Sequence, residues 1–395
     1  MRIAYVCADA GVPVFGHKGC SVHVQEMVRA FQRHGASVEL FATRVEGPPT
    51  PGLESLTVHR LPKVGDGDPV THAADVAMLN RELAAALERA RPYDLLYERY
   101  SLWSFAAMEH ARAVGIPGLL EVNAPLIEEQ AEHRGLRDVA GAERATALAF
   151  RAATALLAVS AEVAAWLKRS SPEPRRVHVL PNAVDPERFR PDVPPTIPGP
   201  PGTFTLGFVG SMKPWHGLHV LIEAFALLHD RVAATRLLLV GGGPEDAAVR
   251  RALADRGLEP ASRLVGAVAP DEVPGFITSM DTAVAPYADA RTFYFSPLKV
   301  FEYLAAGRAV VASAVGQLKT VIRHGVNGLL CPPGDPEALA AVLQQLQREP
   351  GLRARLATGA RASVVPRHTW DRQSARVLQV ADAARMGQPR ARART

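Results

Sequence analysis

Residues 294–307, YFSPLKVFEYLAAG, combine a helix start with a lysine placed to bind an anion. Ser296 can supply a side-chain oxygen to cap this helix, and Pro297 suits the first helical position, where no N–H is needed. The N–H groups of Leu298 and Lys299 would then lie at the positive end of the helix dipole, where Lys299 adds a full charge. The segment therefore predicts an anion site, and phosphate is its natural ligand.

Glu302 lies one turn after Lys299, on the same side of this helix. A carboxylate repels phosphate, but it accepts hydrogen bonds from the two neighbouring hydroxyls of a ribose. The pair therefore favours a nucleotide. The alternative is an ordinary capped helix with an exposed Lys–Glu pair, and the spacing alone does not decide between the two.

Two further loops of the second half of the chain join a predicted strand to a helix. In residues 210–217, GSMKPWHG, the glycines permit close backbone approach, and Lys213 and His216 can reach a diphosphate. Three glycines at 241–243 would form another wall of the same crevice. A plain tight turn explains each loop separately, but two cationic loops that converge on one crevice favour a binding site.

In the first half of the chain, the loop of residues 11–19 follows the first predicted strand, and Ser21 is the expected cap of the next helix. The loop lacks the close Gly-x-Gly pair of a dinucleotide site, so NAD binding is excluded. Gly19 stands where the Ser or Thr of an ATPase loop would hold magnesium, so that function is excluded too. His23, one turn into the helix, is either a partly buried histidine or a catalytic group.

Glu121 and Asn123 follow the fifth predicted strand and are polar candidates for contact with a sugar. An ion pair is the alternative role of Glu121. Asp66 and Asp68 have the spacing of the aspartates that hold a metal in another class of sugar transferases, but they lie in a Gly/Pro-rich loop, where aspartates are ordinary turn residues. No other His, Cys or carboxylate cluster has metal-ligand spacing, so we expect no metal and no cofactor.

Composition limits the remaining function classes. A chain of 395 residues with 48% hydrophobic and 22% charged residues predicts a globular protein of two domains. The net charge of +5 falls to +2 without the three arginines of the last ten residues, and no basic stripe is interleaved with aromatics, so nucleic acid is not an expected partner. Three cysteines without metal spacing predict reduced thiols and a cytoplasmic location. We expect membrane contact to be peripheral at most, and a homodimer is compatible with the sequence.

Short β-branched runs alternate with longer amphipathic segments, which predicts an α/β fold with parallel strands and crossover helices in both halves. The apolar start of the chain is the first of these strands rather than a signal peptide. The predicted division is a first domain at 1–190, a proline-rich linker at 191–202, a second domain at 203–370, a final helix at 371–385 and a disordered tail at 386–395. The predicted strands are 3–8, 38–43, 56–61, 95–100, 119–122, 156–160, 177–180, 206–209, 237–240, 264–268, 283–285 and 309–312.

Taken together, these motifs resemble the retaining glycosyltransferases of family 4, which have the GT-B architecture of two facing Rossmann-like domains. The resemblance covers nearly the whole chain. It is carried by Lys18-Gly19, the segment 180–185 (LPNAVD) followed by Phe189, the loops 210–217 and 241–244, and residues 296–307.

The resemblance implies a metal-independent enzyme of bacterial type that takes a nucleotide-diphosphate sugar, usually a UDP-sugar, and transfers the sugar to an acceptor hydroxyl. It implies that the final helix crosses back to the first domain, and that the first domain binds the acceptor, whose identity the sequence does not indicate. The candidate catalytic residues are Lys213, Lys299 and Asn123. The candidate donor-binding residues are Gly19, Gly210, Ser211, His216, Gly242, Gly243, Tyr294, Ser296, Leu298 and Glu302, and those on the acceptor side are Lys18, His23 and Glu121.

Three positions depart from the family pattern. Ser211 and His216 stand where many members have an Arg and a Lys, and Tyr294 replaces a glutamate that touches the donor sugar. Asn123 stands in the region where many members present a histidine. A sugar-nucleotide epimerase of GT-B fold and a non-catalytic sugar-nucleotide-binding protein remain alternatives to a transferase; a phosphorylase should carry a pyridoxal-binding lysine, and none is evident.

Overall fold

The computed structural model describes residues 1–65, 67–133, 135–170, 173–288 and 293–387. Asp66 and most of the predicted tail lie outside these ranges. The chain divides into two compact units, and each is described by itself. Unit 1 contains Met1–Pro181 and the last helix, Trp370–Gly387; unit 2 contains Asn182–Thr369. Residues 191–202, the predicted linker, form no helix or strand within unit 2.

Unit 1 is built on a seven-stranded sheet in which all pairs are parallel and the spatial order is β3-β2-β1-β4-β5-β6-β7. The chain starts in the middle of this sheet, adds strands towards one edge and then returns to build the other. The strands are β1 Arg2–Cys7, β2 Ser37–Ala42, β3 Thr57–Arg60, β4 Leu95–Arg99, β5 Gly118–Val122, β6 Ala155–Ala158 and β7 Val177–Val179.

Unit 2 repeats the plan with six parallel strands in the order β10-β9-β8-β11-β12-β13. The point where the strand order reverses lies next to β8, and ligands of such sheets bind beyond the carboxyl ends of the strands at that point. The strands are β8 Phe204–Val209, β9 Thr235–Val240, β10 Ser262–Gly266, β11 Thr282–Ala285, β12 Ala309–Ser313 and β13 Leu329–Cys331.

Within each unit, helices form most of the crossover connections that parallel pairing requires; β2 and β3 are joined by a segment without a helix. Within the described residues, no helix is both long and apolar enough to cross a membrane. The helices of unit 1 are α1 Gly19–Arg33, α2 Pro69–Ala90, α3 Ala106–Val114, α4 Leu126–His133, α5 Val139–Ala152 and α6 Ala161–Ser170, and those of unit 2 are α7 Leu218–Arg231, α8 Asp246–Ala254, α9 Val273–Thr278, α10 Leu298–Ala305, α11 Leu318–Val321, α12 Pro336–Arg348 and α13 Pro350–Val364; the final helix of unit 1 is α14 Trp370–Gly387.

The central strands are buried on both faces, which is why they read as continuous apolar runs rather than as alternating patterns. The α/β fold and its parallel sheets are therefore confirmed, and the predicted strands differ from the observed ones by one or two residues at most ends. Sequence reasoning missed β13. It has only three residues and is followed by two prolines, so no periodicity marks it.

One central strand buries a carboxyl group. Glu98 of β4 is fully buried; its Oε1 accepts a hydrogen bond from the hydroxyl of Ser104, and its Oε2 has no partner among the described residues. Burial raises the pKa of Glu98 from 4.5 to about 7, although the bond from Ser104 opposes the shift. Folding therefore favours the protonated acid.

The raised pKa predicts that Glu98 makes folding less favourable as the pH rises from 4.5 towards 7, and that the effect is constant above 7. Glu98→Gln keeps an acceptor for Ser104 and cannot ionise, so it should be more stable than the wild type above pH 7 by up to about 3 kcal/mol, and equally stable near pH 4.5. Urea unfolding at several pH values measures the difference. Glu143→Gln, at an exposed position of α5, is the control and should not change the pH dependence.

Candidate functional site

A buried amine without a hydrogen-bond partner marks the crevice of unit 2. Lys299, the second residue of α10, is 9% exposed, and none of the described residues forms a hydrogen bond with its Nζ. The Nζ lies 3.9 Å from the centroid of the Phe208 ring. Burial lowers the pKa of Lys299 to about 7, although the nearby carboxylate of Glu302 opposes the shift. An anion at this position would satisfy the amine and restore its charge.

The loop after β8 lies against this amine, the loop after β9 packs on the loop after β8, and glycines make both contacts possible. Gly210 has φ 142°, and a Cβ there would lie 2.7 Å from the Nζ of Lys299. Gly241 has φ 127°, and its Cβ would lie 2.0 Å from the carbonyl oxygen of Gly210. A Cβ at Gly243 would lie 2.6 Å from the carbonyl oxygen of Met212, whereas Gly242 is less crowded. These glycines therefore pack the loops against each other and against Lys299.

His216 lies in the same loop cluster, but as a neutral ring. Its Nδ1 is 2.5 Å from the carbonyl oxygen of Ser211, which can only accept, so Nδ1 carries the proton. Burial, then Lys299 and Lys213, lower the pKa of His216 to about 3. Without a ligand, the ring therefore has no second proton to donate, and the contact of His216 with a diphosphate stays a prediction. Its Nε2 can only accept, from a hydroxyl or an N–H group.

Lys213 is the second lysine of this crevice. Its Nζ lies 5.6 Å from the centroid of the Trp215 ring, and Trp215 is 41% exposed. The indole is stacked on Phe295, with 6.4 Å between ring centroids and an interplanar angle of 17°. Tyr294 packs on the same Phe295 at 4.4 Å. Tyr294, which the resemblance marks as a departure, thus belongs to an aromatic cluster with Trp215 and Phe295, and Lys213 lies beside this cluster.

Ser296 does not cap α10. The helix begins at Leu298 with Pro297 at the N-cap position, and no side chain caps it. The hydroxyl of Ser296 instead accepts a hydrogen bond of 2.9 Å from the backbone N–H of Asn182, and its carbonyl oxygen accepts one of 2.5 Å from Asn182 Nδ2. The predicted cap is therefore wrong, because this hydroxyl is committed to a segment distant in sequence. The helix start, with Leu298 and Lys299 in its first turn, has no side-chain acceptor among the described residues.

In unit 1, the loop predicted to approach a phosphate ends at the first turn of α1. Gly19 is the first helical residue, and Lys18 at the N-cap position forms no side-chain cap. Both are exposed. The predicted cap Ser21 lies inside the helix, and its buried hydroxyl has no hydrogen-bond partner among the residues that the structure describes. The predicted cap is therefore wrong, since the helix begins at Gly19, before Ser21.

Four side chains converge on Glu121, which is 3% exposed at the carboxyl end of β5. Its Oε1 accepts hydrogen bonds from Asn123 Nδ2 at 2.6 Å and from Arg99 at 3.3 Å. Its Oε2 is 2.7 Å from His23 Nε2 and accepts a bond from the hydroxyl of Tyr97. Glu121 is thus an ion-pair anchor, which is the alternative role stated for it, and its contact with a sugar stays a prediction.

This cluster also determines how Asn123 is oriented. An ionised carboxylate only accepts, so the Asn123 amide nitrogen must face Glu121 and the amide oxygen must face away. Asn123 is partly exposed and can therefore present a hydrogen-bond acceptor to a ligand. His23 is 4% exposed and meets the edge of Trp370 at 5.1 Å between ring centroids, which fits the buried alternative stated for it.

Sequence reasoning missed Arg99, Tyr97 and Asn182. Arg99 and Glu121 are register partners on neighbouring strands, but their pairing is visible only once β4 and β5 are known to be adjacent. Within the described residues, no three His, Cys, Asp or Glu side chains come together as metal ligands do.

The cluster predicts an acid-labile contribution to stability. Burial alone would raise the pKa of Glu121, but His23, Arg99 and Tyr97 outweigh it and lower the pKa to about 2. The stabilisation is present above the ordinary value of 4.5 and is lost as the pH falls towards 2. Glu121→Gln should lower the free energy of unfolding near pH 7 by about 3 kcal/mol, because Arg99 loses its charged partner.

Urea unfolding at pH 7 and at pH 3 measures this contribution, and the difference between wild type and Glu121→Gln should shrink at the lower pH. Glu128→Gln removes an exposed carboxylate that accepts a bond from Trp166 and is the matched control. Equal destabilisation by both variants at pH 7 would contradict the anchor role.

Comparison with known proteins agrees with this geometry. Residues 203–349 match the family described as "Glycosyl transferases group 1", and residues 18–183 match the "Glycosyl transferase 4-like domain". The D-inositol 3-phosphate glycosyltransferase of Xylanimonas cellulosilytica is 31% identical over 396 residues, which cover 92% of this chain and 91% of the relative. The enzyme of the same name from Acidothermus cellulolyticus is 29% identical, with 95% and 86% covered.

Solved structures share the fold. The Anabaena protein Alr3699/HepE, crystallised with UDP and glucose, superposes with a TM-score of 0.73 at 18% identity and covers 97% of this chain and 100% of its own. The sucrose-phosphate synthase of Thermosynechococcus elongatus gives a TM-score of 0.75 at 19% identity, with 98% and 100% covered. The chain has two parallel-sheet units and is similar to these relatives over most of its length. It therefore belongs to the family 4-type glycosyltransferases of GT-B architecture.

Proposed function

We propose that this enzyme transfers a sugar from a UDP-sugar to an acceptor hydroxyl with retention of the anomeric configuration and without a metal ion. The observation that carries the proposal is the amine of Lys299, which is buried beside glycine loops and has no hydrogen-bond partner in the described part of the chain. A buried cation without an anion is costly, and a diphosphate supplies the missing charge.

The diphosphate would be bound by the start of α10 together with two lysines. The N–H groups of Leu298 and Lys299 belong to the first turn of a helix without a side-chain cap. Lys299 Nζ adds a charge-assisted hydrogen bond, and Lys213 approaches from the loop after β8. These groups would stabilise the negative charge that develops on the leaving diphosphate, a task that a metal ion performs in other transferases.

Glu302 would bind the ribose. It lies one turn after Lys299, is partly exposed, and is close enough to affect the pKa of that lysine. UDP as the nucleotide is supported by similarity to the HepE protein, whose crystal structures contain UDP and UDP-glucose. His216 would accept a hydrogen bond from a hydroxyl of the donor, since its Nε2 carries no proton.

The chemistry follows from where the charges lie. The bond between the anomeric carbon and the β-phosphate oxygen breaks first, and the positive charge spreads over that carbon and the ring oxygen. The acceptor oxygen attacks the same face, and its proton passes to the departing phosphate oxygen, so UDP leaves protonated and the configuration is retained. No separate strong base is required, which is consistent with a crevice whose lysines stabilise the leaving group.

Unit 1 would supply acceptor contacts. The amide oxygen of Asn123 faces away from Glu121 and would accept a bond from a hydroxyl, and Lys18 and Gly19 lie exposed at the start of α1. Three reduced thiols, Cys7, Cys20 and Cys331, are compatible with the proposed cytoplasmic location. The curated relatives are named as glycosyltransferases, which favours transfer over the epimerase and the non-catalytic alternatives.

The pKa of Lys299 makes donor binding depend on pH. Because the pKa is lowered to about 7 and a bound diphosphate would raise it, binding above pH 7 requires proton uptake, and the affinity for UDP-glucose should fall by up to about tenfold per pH unit from pH 7 to 9. The diphosphate of UDP-glucose does not titrate in this range, so the slope reports on the protein. Calorimetry in two buffers of different ionisation enthalpy measures the proton uptake directly.

Lys299→Met should bind UDP-glucose at least about tenfold more weakly at pH 7 and should lose the pH slope, since a charge-assisted hydrogen bond is removed. Lys213→Met should weaken binding but keep the slope. Lys319→Met, at an exposed position of α11, is the control. An unchanged affinity and slope in Lys299→Met would exclude this lysine from the donor site.

The ribose assignment is tested with 2′-deoxy-UDP. The wild type should prefer UDP over the deoxy analogue by about tenfold, since a hydrogen bond to a carboxylate is lost. Glu302→Ala should bind UDP more weakly and should no longer distinguish the two ligands. A preference that survives in Glu302→Ala would show that another residue recognises the ribose.

A further inference from the structure

Unit 1 contains a cavity away from the residues discussed so far. Its volume is about 440 Å³, and it lies beside the edge strand β7, at the start of β6, under α14. Thr154 and Ala155 mark the start of β6, whereas Glu121 and Asn123 lie at and beyond the carboxyl end of β5. Because β5 and β6 are parallel, the start of β6 lies at the amino ends of the strands and the end of β5 lies at their carboxyl ends.

The polar lining of this cavity is cationic. Arg175, Arg176 and Arg376 line it together with His178 and Gln379. Arg176 is held in place by the carbonyl oxygen of Ala153 at 2.5 Å and by an ion pair of 3.2 Å with Glu173. Arg175 and Arg376 are exposed and form no ion pair with any acid of the described ranges. Two positive charges therefore face the cavity without compensation.

His178, on β7, lies between these groups. Burial lowers its pKa, and the positive charge of Arg376 lowers it further, so the ring is neutral at pH 7. The charged neighbours that bear on it are Arg175 and Arg176 before β7, Glu173 beside Arg176, and Arg376 on α14. A neutral imidazole can donate one hydrogen bond to an anion held by the arginines.

The rest of the lining is apolar. Ala155, Leu180, Val380 and Ala383 contribute side chains without polar atoms. The volume falls within the range of about 300–1,000 Å³ that small-molecule sites occupy. A site with two uncompensated guanidinium groups on one side and aliphatic side chains on the other fits a ligand with a doubly charged anionic end and a short carbon skeleton.

We propose that this cavity is a second ligand site, separate from the sugar-nucleotide crevice, and that it binds a phosphate monoester through Arg175 and Arg376, with His178 and Gln379 as hydrogen-bond partners. A monoester carries nearly two negative charges at pH 7, which matches the two uncompensated arginines. Its source is either a small soluble phosphate ester or the head group of phosphatidic acid, since both present the same group. The proposal does not depend on the function assigned to unit 2.

The ring signals of His178, followed by NMR on the full chain and assigned with His178→Gln, report on the cavity alone. Addition of inorganic phosphate or glycerol 3-phosphate should raise the pKa of His178, because a bound dianion favours the imidazolium. Glycerol 3-phosphate should bind more tightly than inorganic phosphate, since only it contacts the aliphatic side chains. Phosphatidylcholine vesicles with and without phosphatidic acid, in a sedimentation assay, test the lipid source.

The double variant Arg175→Gln/Arg376→Gln should weaken binding of glycerol 3-phosphate by at least about tenfold, as the loss of charge-assisted hydrogen bonds requires. The single variant Arg112→Gln, at an exposed position of α3 outside the cavity, is the control and should bind as the wild type does. Thermal unfolding of the three proteins shows whether the exposed substitutions leave the fold intact.

Binding of glycerol 3-phosphate without vesicle binding would identify a soluble ligand, and retention only by phosphatidic acid vesicles, lost in the double variant, would identify the lipid. An unchanged pKa of His178 with every probe would overturn the proposal, as would equal weakening by Arg112→Gln, which indicates general charge screening. UDP-glucose binding to the double variant should equal that of the wild type. A wild-type protein that does not bind UDP-glucose would contradict the function proposed for unit 2, but it would not contradict the proposal for this cavity.

Discussion

The burial of one amine determines the architecture of the crevice in unit 2. Lys299 places its Nζ against the face of Phe208 and under the backbone of Gly210, where water does not solvate it and no described side chain accepts its protons. Such a group either gives up its charge or recruits an anion. The loop after β8 approaches the amine through Gly210, and the loop after β9 packs on that glycine through Gly241. Burial and the charge of Lys299 lower the pKa of His216. The amine of Lys299 can therefore be neutral or charged, and in the function proposed above a diphosphate would favour the charged form.

Unit 1 buries two carboxyl groups, whereas unit 2 buries an amine. Glu98 and Glu121 are both buried on neighbouring strands, but the pKa of Glu98 is raised and that of Glu121 is lowered. Glu98 has a single hydroxyl donor, so burial dominates and the acid stays protonated. Glu121 has His23, Arg99, Tyr97 and Asn123 around it, so the charged form dominates. The number of hydrogen-bond donors, and not burial alone, therefore distinguishes Glu98, which stays protonated, from Glu121, which is ionised and orients Asn123.

The departures from the family pattern are physically related. Where the resemblance implies a lysine and an arginine, the chain has His216 and Ser211, and the backbone carbonyl of Ser211 accepts a hydrogen bond from the one N–H that His216 carries. Lys213 lies beside Trp215, and Trp215 stacks on Phe295, which also contacts Tyr294. Compared with the pattern that the resemblance implies, the loop thus has less permanent positive charge and more aromatic surface. In the function proposed above, this exchange would alter recognition of the donor while Lys299 and the start of α10 keep the contact with the diphosphate.

The sequence by itself determined the α/β fold and most strand positions, because apolar periodicity and glycine or proline placement are local signals. Its motifs also resembled the family to which the chain belongs. It could not determine that Ser296 bonds to Asn182 rather than to its own helix, since the two segments are far apart in the chain. Nor could it determine that Glu121 is an anchor for Arg99 and His23, that His216 is neutral, or that Arg175 and Arg376 face one cavity. Strand order, burial and the charges brought together by folding decide these properties, and none of them is encoded within a single segment.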